Sequence, residues 1–176
     1  RFGDEPVVIC TGSEPRVLKN VPGHERMVEA CEFLNGASVG QKVAVVGGGL
    51  TGSEIAYELA LLGKEPIIIE MKDDLVSQHG VCLANSSYLR EWFALHNVPV
   101  YLETSLKEVR KDAVVCQTRD GKILSIPCDS VISSAGYLPK PLPAEKRKNT
   151  YLVGDCRKVG NLRSVIWGAY GTAMKI

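Results

Sequence analysis

A cluster of glycines in the second quarter of the chain constrains the fold more than any other feature. Residues Gly47 to Gly52 read GGGLTG and satisfy the spacing G-x-G-x-x-G. The β-rich segment Gln41–Val46 precedes them and predicts a strand. From Leu50 the apolar residues recur with a helical period that ends at Gly63. A strand, a glycine turn and a helix in this order predict a β-α unit whose turn holds phosphate groups.

A second apolar segment follows this helix and ends in an acidic residue. The segment Glu65–Glu70 predicts a strand covered on both faces, because Ile67–Ile69 is continuously apolar. Glu70 lies 23 residues after Gly47, near the spacing of about 20 at which an acid binds the adenosine ribose of a dinucleotide. A carboxylate there repels a 2′-phosphate, so the sequence favours NAD(H) over NADP(H), although Lys72 could neutralise part of that repulsion.

Each glycine of the turn has a separate physical role in this interpretation. Gly47 permits the tight turn, Gly49 lets the backbone approach a pyrophosphate, and Gly52 lets the helix pack closely on the strand. The residues that we predict to bind NAD(H) are Gly47, Gly48, Gly49, Leu50, Thr51, Gly52, Glu70, Lys72, Ala135 and Gly136. Two alternatives stay open at this point: a glycine turn that serves packing only, and a turn for another adenosine ligand, as in methyltransferases.

The rest of the chain alternates between strand-like and helix-like segments. Further predicted strands are Pro6–Cys10, Val98–Leu102, Ser130–Ser134 and Tyr151–Val153, and further predicted helices are Met27–Leu34, Ala84–His96 (capped by Asn85 or Ser86) and Leu162–Ile176. The segment Leu106–Asp129 surrounds an Asp-Gly turn and predicts an antiparallel hairpin. Pro139–Lys148 predicts a charged, proline-rich connection. The fold class is therefore α/β, a Rossmann-like parallel sheet with a β-hairpin or meander insertion.

Four predicted strands end in turns that contain glycine. These turns are Thr11-Gly12, Gly47 to Gly52, Ala135-Gly136 and Gly154-Asp155. In open α/β sheets, ligands bind beyond the carboxyl ends of the strands. The four turns are therefore the candidate ligand-binding segments.

Composition excludes several other functions. The 176 residues carry 21 Lys and Arg against 20 Asp and Glu, a net charge of +1, which gives no reason to expect nucleic acid or a membrane surface as a partner. There is no apolar run long enough for a transmembrane helix, and we expect a cytoplasmic protein. The six cysteines form no CxxC pair, so we predict no metal site and mostly buried, reduced thiols. The histidines are expected at the surface or in turns rather than in catalysis; they are His24, His79 and His96.

Four motifs in order resemble those of the two-dinucleotide flavin oxidoreductases, which carry FAD and NAD(P)H in paired Rossmann domains. Val8–Pro15 is similar to the family's ATG motif, with Cys10 in place of alanine. Lys42–Glu70 resembles the NAD(P)H fingerprint, and Asp129–Gly136 with the proline that follows resembles the closing motif of that domain. Tyr151–Cys156 resembles the GD motif, whose aspartate binds the flavin ribityl chain.

The resemblance implies a division of the chain into three parts. Residues 1–21 would be a remnant of the FAD domain, residues 22–140 the NAD(H)-binding domain, and residues 141–176 the returning segment of the FAD domain. The residues implied for FAD binding in the intact protein are Thr11, Gly12, Gly154 and Asp155. Glu54 is implied as a nicotinamide-side contact, with an ordinary exposed helix acid as the equal alternative. No general acid or base is predicted.

Within that family, Leu83–Arg90 and Val98–Thr104 resemble the C-terminal module of 2-enoate reductases and related NADH:flavin oxidoreductases. The resemblance implies hydride transfer from NADH to FAD as part of a larger enzyme, with FMN in a barrel and a 4Fe-4S cluster as further cofactors upstream. The chain opens on Arg1 rather than methionine, and we expect it to be a piece of such a polypeptide. Its partners would be NADH and the rest of its own polypeptide.

Two further expectations concern function and assembly. The alternative function is a non-catalytic NAD-binding module that controls an interaction; Gly154-Asp155 argues against it, because that pair suits a flavin. The apolar surfaces of Val7–Cys10 and of the last helix, which carries Val165, Ile166 and Tyr170, are expected to pack on each other or to form a homo-oligomer.

Overall fold

The computed structural model describes residues 4–77, 80–142 and 149–176, which fall into two units. One unit joins the segment that ends at Arg16 to the segment that begins at Tyr137, and the other runs from Val17 to Gly136. The histidine His79 and most of the predicted connection Pro139–Lys148 lie outside the described residues.

The predicted strands and helices appear in the predicted order, and three short strands that were not predicted are added at Ser13–Pro15, Val28–Glu29 and Tyr137–Pro139. The strands are β1 (Val7–Ile9), β2 (Ser13–Pro15), β3 (Val28–Glu29), β4 (Lys42–Val46), β5 (Glu65–Ile69), β6 (Val100–Tyr101), β7 (Thr104–Val109), β8 (Ala113–Thr118), β9 (Ile123–Pro127), β10 (Ser130–Ser133), β11 (Tyr137–Pro139) and β12 (Thr150–Leu152). The α-helices are α1 (Ala30–Leu34), α2 (Leu50–Leu61), α3 (Leu83–Leu95) and α4 (Leu162–Ala173), with 3-10 turns at His24–Arg26 and Gly154–Cys156.

A five-stranded parallel sheet in the order β3-β10-β4-β5-β6 forms the centre of the Val17–Gly136 unit. Side chains of α2 and α3 pack on one face of the sheet, against Val45, Ile68 and Ile132. The antiparallel strands β7, β8 and β9 pack on the other face, against Ala44 and Ile67. Both faces of the central strands are therefore buried, which explains their unbroken apolar sequence. The predicted α/β class, with a parallel sheet and a meander insertion, is confirmed.

The predicted helix Met27–Leu34 is wrong in its first half. Val28 and Glu29 form β3 and pair in parallel with Ile132 and Ser133 of β10. The helix α1 begins only at Ala30, after a capping box between Glu29 and Glu32. A two-residue strand has no detectable period of its own, so the helical spacing that follows dominated the pattern.

The predicted cap of α3 also differs from the structure. The helix begins at Leu83 with Cys82 at the N-cap, not at Asn85 or Ser86. Ser86 is buried inside the first turn, where its hydroxyl donates to the carbonyl of Leu83 at 3.1 Å. Burial on the core side of the helix, rather than capping, accounts for this serine.

The other unit contains two short sheets and the last helix. β1 pairs in parallel with β12, and β2 pairs antiparallel with β11. α4 begins at a capping box between Asn161 and Ser164 and contacts the 3-10 turn Gly154–Cys156. The backbone of β1 pairs with β12. Ile166 and Tyr170 are exposed on α4, and a homo-oligomer formed through such exposed residues stays a prediction.

Candidate functional site

The backbone around the glycine turn between β4 and α2 leaves no room for a side chain at Gly47 or at Gly52. Gly47 has φ of 105°, and a Cβ there would lie 2.3 Å from the carbonyl oxygen of Ser134. A Cβ on Gly52 would lie 1.9 Å from the carbonyl oxygen of Gly47. The neighbouring backbone therefore requires glycine at both positions, as the roles inferred from sequence demand.

The turn presents the N-terminus of α2 with no capping side chain. Gly49 occupies the N-cap in an extended conformation, and no side chain accepts a hydrogen bond at this cap within the described residues. Leu50 and Thr51, the first two helical residues, are partly exposed. The leading amides of a helix lack intrahelical acceptors and carry the positive end of the dipole, so this terminus suits a pyrophosphate.

Glu70 lies at the carboxyl end of β5, with 7% of its surface exposed. One of its carboxylate oxygens accepts the amide of Gly48 at 2.6 Å, and the other accepts the amide of Lys72 at 2.8 Å. An ionised carboxylate has about four lone-pair sites, so both oxygens can still accept a ribose hydroxyl. Lys72 thus contacts Glu70 through its backbone amide, and Lys72 is exposed to solvent.

The segment after Glu70 folds back over the glycine turn. Val76 donates its amide to the carbonyl of Gly48 at 2.8 Å, and it is buried with φ of 49°. A Cβ on Gly48 would lie 2.4 Å from Leu75. Arg90 of α3 donates to the carbonyl of Leu75 at 2.9 and 2.6 Å and pairs with Asp74 at 2.9 Å. These contacts hold a β-branched residue in a left-handed conformation that it rarely adopts.

We expect Arg90→Met to loosen this segment. The variant keeps an unbranched apolar stem but removes two charged hydrogen bonds to Leu75 and the ion pair with Asp74. Urea unfolding should show a loss of about 2 kcal/mol, and NADH affinity should fall about fivefold, or about 1 kcal/mol. Arg26→Met is the matched control, because Arg26 pairs only at the surface with the adjacent Glu25. Equal stability of the two variants would contradict the anchoring role.

The remaining residues predicted for the NAD(H) site lie on two elements. Glu54 is exposed and is the fifth residue of α2. It therefore begins the second turn of the helix, whereas the sequence predicts a position in the first turn. Ala135 and Gly136 follow β10 after Ser134, and β10 pairs with β4, so they leave the sheet beside the glycine turn. Gly136 has φ of 88°, and a Cβ there would meet no atom within 4 Å.

The residues implied for flavin binding lie in the other unit. Thr11 follows β1 and donates its hydroxyl to the carbonyl of Lys140 at 2.6 Å, and Gly12 has φ of 73°. Gly154 and Asp155 follow β12 in the 3-10 turn. The carboxylate of Asp155 accepts the amide of Gly160 at 3.1 Å and the hydroxyl of Ser13 at 3.4 Å. Because β1 and β12 are parallel neighbours, both turns leave the same edge of this small sheet.

The cysteines do not share one environment. Cys116, Cys128 and Cys156 are buried, and burial raises the pKa of Cys116 to about 11, so this thiol stays protonated. Cys10 and Cys82 are exposed and Cys31 is partly buried, so the expected burial holds for half of the six thiols and not for most of them. Across residues 4–77, 80–142 and 149–176, no three His, Cys, Asp or Glu side chains are grouped so that they could hold a metal ion.

Sequence reasoning missed the groups that support the glycine turn. Ser53 donates its hydroxyl to the carbonyl of Gly48 at 3.2 Å, and Arg90 and Val76 fix the segment after Glu70. Their partners are backbone carbonyls. Because every residue has such a carbonyl, the type of the partner residue does not reveal the contact. The residues of the turn and Glu70 were visible because their spacing is fixed by the β-α-β unit itself.

Together, the crowded glycines, the uncapped helix terminus and Glu70 fit a dinucleotide, and the fold and this site define a Rossmann-type dinucleotide-binding domain. The profile of the family "pyridine nucleotide-disulphide oxidoreductase" matches residues 2–151. The chain belongs to this family, whose members bind a pyridine nucleotide and FAD.

Individual relatives show which proteins of known function or structure the chain resembles. The chain is 35% identical over 181 aligned residues to a cinnamate reductase of Clostridium sporogenes, covering 99% of this chain and 27% of that protein. It is 26% identical to a bilirubin reductase of Mediterraneibacter gnavus, covering 86% and 24%. A solved 2-naphthoyl-CoA reductase complex superposes with a TM-score of 0.82 at 25% identity, covering 96% and 26%. The chain thus spans about a quarter of the length of these relatives.

No helix within the described residues is long and apolar enough to cross a membrane.

Proposed function

We propose that this chain is the NADH-binding domain of a flavin-dependent oxidoreductase and that it presents NADH for hydride transfer to FAD within an enoate-reductase-like enzyme. The observation that carries the proposal is the pairing of the glycine turn with Glu70. The buried carboxylate accepts the amide of Gly48, so the groups for the pyrophosphate and for the adenosine ribose are held together by one 2.6 Å hydrogen bond.

The residues of the Val17–Gly136 unit would bind and orient the nucleotide. The pyrophosphate would lie on the leading amides of α2, reached closely at Gly49, and the ribose hydroxyls would donate to Glu70. The cofactor would then run across the strand ends, with the adenosine half toward β5 and β6 and the nicotinamide half toward β10. Glu54, Ala135 and Gly136 are the residues proposed to contact the nicotinamide half.

The other unit would contribute to the flavin site. Asp155 has one carboxylate oxygen on the Gly160 amide and the other 3.4 Å from the hydroxyl of Ser13, so it is oriented and retains acceptor sites for the flavin ribityl hydroxyls. Thr11 and Gly12 would line the same site. When bound, the cofactors supply the redox chemistry, a hydride passing from nicotinamide C4 to flavin N5. The protein residues bind and orient the two cofactors.

The enoate-type reaction rests on the relatives. The 35% identity to a cinnamate reductase extends over 99% of this chain, and the chain would correspond to one region of a longer enzyme of that kind. FMN and a 4Fe-4S cluster would be held by other regions of such an enzyme. The unsaturated substrate would also bind there, so this domain would supply reducing equivalents and not substrate specificity.

Calorimetric titration with NADH and, separately, with NADPH tests the proposal. We expect NADH to bind at least about tenfold more tightly than NADPH, a difference of roughly 1.4 kcal/mol, because Glu70 accepts the 2′-hydroxyl and repels a 2′-phosphate. Equal affinities would contradict the assignment of NADH as the cofactor. Failure of both nucleotides to bind the full-length protein would contradict the dinucleotide site as a whole.

A further inference from the structure

The carboxyl ends of β5 and β6 are joined by backbone hydrogen bonds beyond the last paired residues. Glu70 donates its amide to the carbonyl of Tyr101, and Thr104 donates its amide to the carbonyl of Glu70, both at 2.9 Å. Glu103 donates its amide to the carbonyl of Lys72 at 2.8 Å. Glu103 is therefore fixed beside the Glu70–Lys72 segment, the place proposed for the adenosine ribose.

Glu103 has an unusual backbone conformation, and its side chain forms an ion pair. Its φ is 47°, in the left-handed region that residues other than glycine rarely adopt. Its carboxylate accepts a hydrogen bond from the guanidinium of Arg119, which lies in the turn between β8 and β9. This ion pair joins the β8–β9 turn of the meander to the residue that directly precedes β7.

The ion pair lies in an open cavity whose walls carry two acids and one cation. The cavity is lined by Leu102, Glu103, Thr118, Arg119 and Asp120. Glu103 raises the pKa of Arg119 through the hydrogen bond and then through its charge, and Asp73 adds a smaller effect. A hydrogen bond from Thr118 lowers the pKa of Asp120, which therefore stays ionised near neutral pH. The guanidinium is therefore paired with Glu103 and feels a weaker attraction from Asp73.

We propose that Glu103 is a specificity-determining residue that disfavours the 2′-phosphate of NADPH by keeping Arg119 engaged and by adding a second acidic residue next to the Glu70–Lys72 segment. The inference rests on the proposed function, because it needs the adenosine ribose at Glu70. A 2′-phosphate carries up to about two negative charges and binds guanidinium groups well. In this chain Glu103 engages the guanidinium of Arg119, so this cation is withheld from the extra phosphate, while the exposed Lys72 offsets part of the repulsion.

The variant Glu103→Gln tests the proposal in the full-length protein. It removes one negative charge and keeps the length of the side chain, so Arg119 becomes available to a phosphate. We expect the dissociation constant for NADPH to fall about fivefold at low salt, since exposed charge pairs have modest energies. The constant for NADH should change by less than about twofold. Raising the salt to about 0.5 M should remove most of the gain, because both charges are exposed.

Two further variants separate this role from a general effect of charge. Glu108→Gln is the matched control, because Glu108 pairs with Arg110 at 2.8 Å near the other end of β7 and loses the same charge. It should leave the NADPH affinity unchanged. The double variant Glu103→Gln with Arg119→Gln should lose the gain that Glu103→Gln produces.

The outcomes distinguish the proposed role of Glu103 from the proposed NADH-binding function. Tighter NADPH binding in Glu103→Gln that disappears in the double variant supports the role of Glu103. An unchanged ratio of NADPH to NADH affinity, or a gain that Glu108→Gln shares, would overturn it and leave the NADH-binding function standing. Failure of the unaltered protein to bind NADH would overturn both.

Discussion

The variant Gly52→Ala should lose most of its NADH affinity and part of its stability. The added Cβ would lie 1.9 Å from the carbonyl oxygen of Gly47 and 3.2 Å from the Cβ of Ser134. Both obstacles belong to the backbone or sit directly on it, so α2 must move away from the turn. We expect a loss of about 3 kcal/mol in the free energy of unfolding, the upper range for an overpacked site. NADH affinity should fall about 100-fold, because the leading amides of α2 no longer point at the pyrophosphate.

Gly168→Ala is the control for this substitution. Gly168 lies inside α4, where a Cβ would meet no atom within 4 Å. Alanine is the better helix former, so this variant should be unchanged or more stable by up to about 1 kcal/mol. Urea unfolding and NADH titration of the 176-residue chain measure both variants. A Gly52→Ala chain that binds NADH normally would show that the helix terminus does not hold the pyrophosphate.

Glu70→Gln should have the second largest effect on stability and NADH affinity, although glutamine has nearly the same shape as glutamate. Both carboxylate oxygens of Glu70 accept backbone amides, one from Gly48 and one from Lys72. A glutamine has only one oxygen, so its NH2 group must face one of these N–H donors. Leaving a buried donor unsatisfied costs about 1–3 kcal/mol of folding stability. NADH affinity should fall at least about tenfold, because the charged acceptor for the ribose is lost.

The exposed Glu65 at the start of the same strand provides the control. Glu65→Gln makes the same chemical change on β5 at the end remote from the glycine turn, and its stability should stay within about 0.5 kcal/mol of the original. If Glu70→Gln binds NADH as tightly as the unaltered chain, Glu70 has a structural role only. That result would move the ribose contact elsewhere while leaving the fold assignment intact.

The order and type of the main elements could be predicted because each has a strong local pattern. The strand at Lys42–Val46, the helix from Leu50 and the strand at Glu65–Ile69 appear within a residue or two of their predicted bounds. Short elements could not be predicted in this way. Val28 and Glu29 form a strand only because β10, about a hundred residues later, offers them an edge to pair with. The N-cap at Cys82 likewise follows from how α3 packs, with Ser86 turned toward the core.

By itself, the sequence determined the α/β class, the glycine turn and the acid at the end of the second strand. These features depend on the chain over about thirty residues, where hydrophobic period and glycine geometry act locally. Only the tertiary structure decided how the site is supported. Arg90 reaches the carbonyl of Leu75, and Glu103 holds Arg119 in an ion pair. Both contacts join segments from different elements, and a backbone carbonyl or an exposed charge can serve many partners, so no spacing in the sequence identifies them.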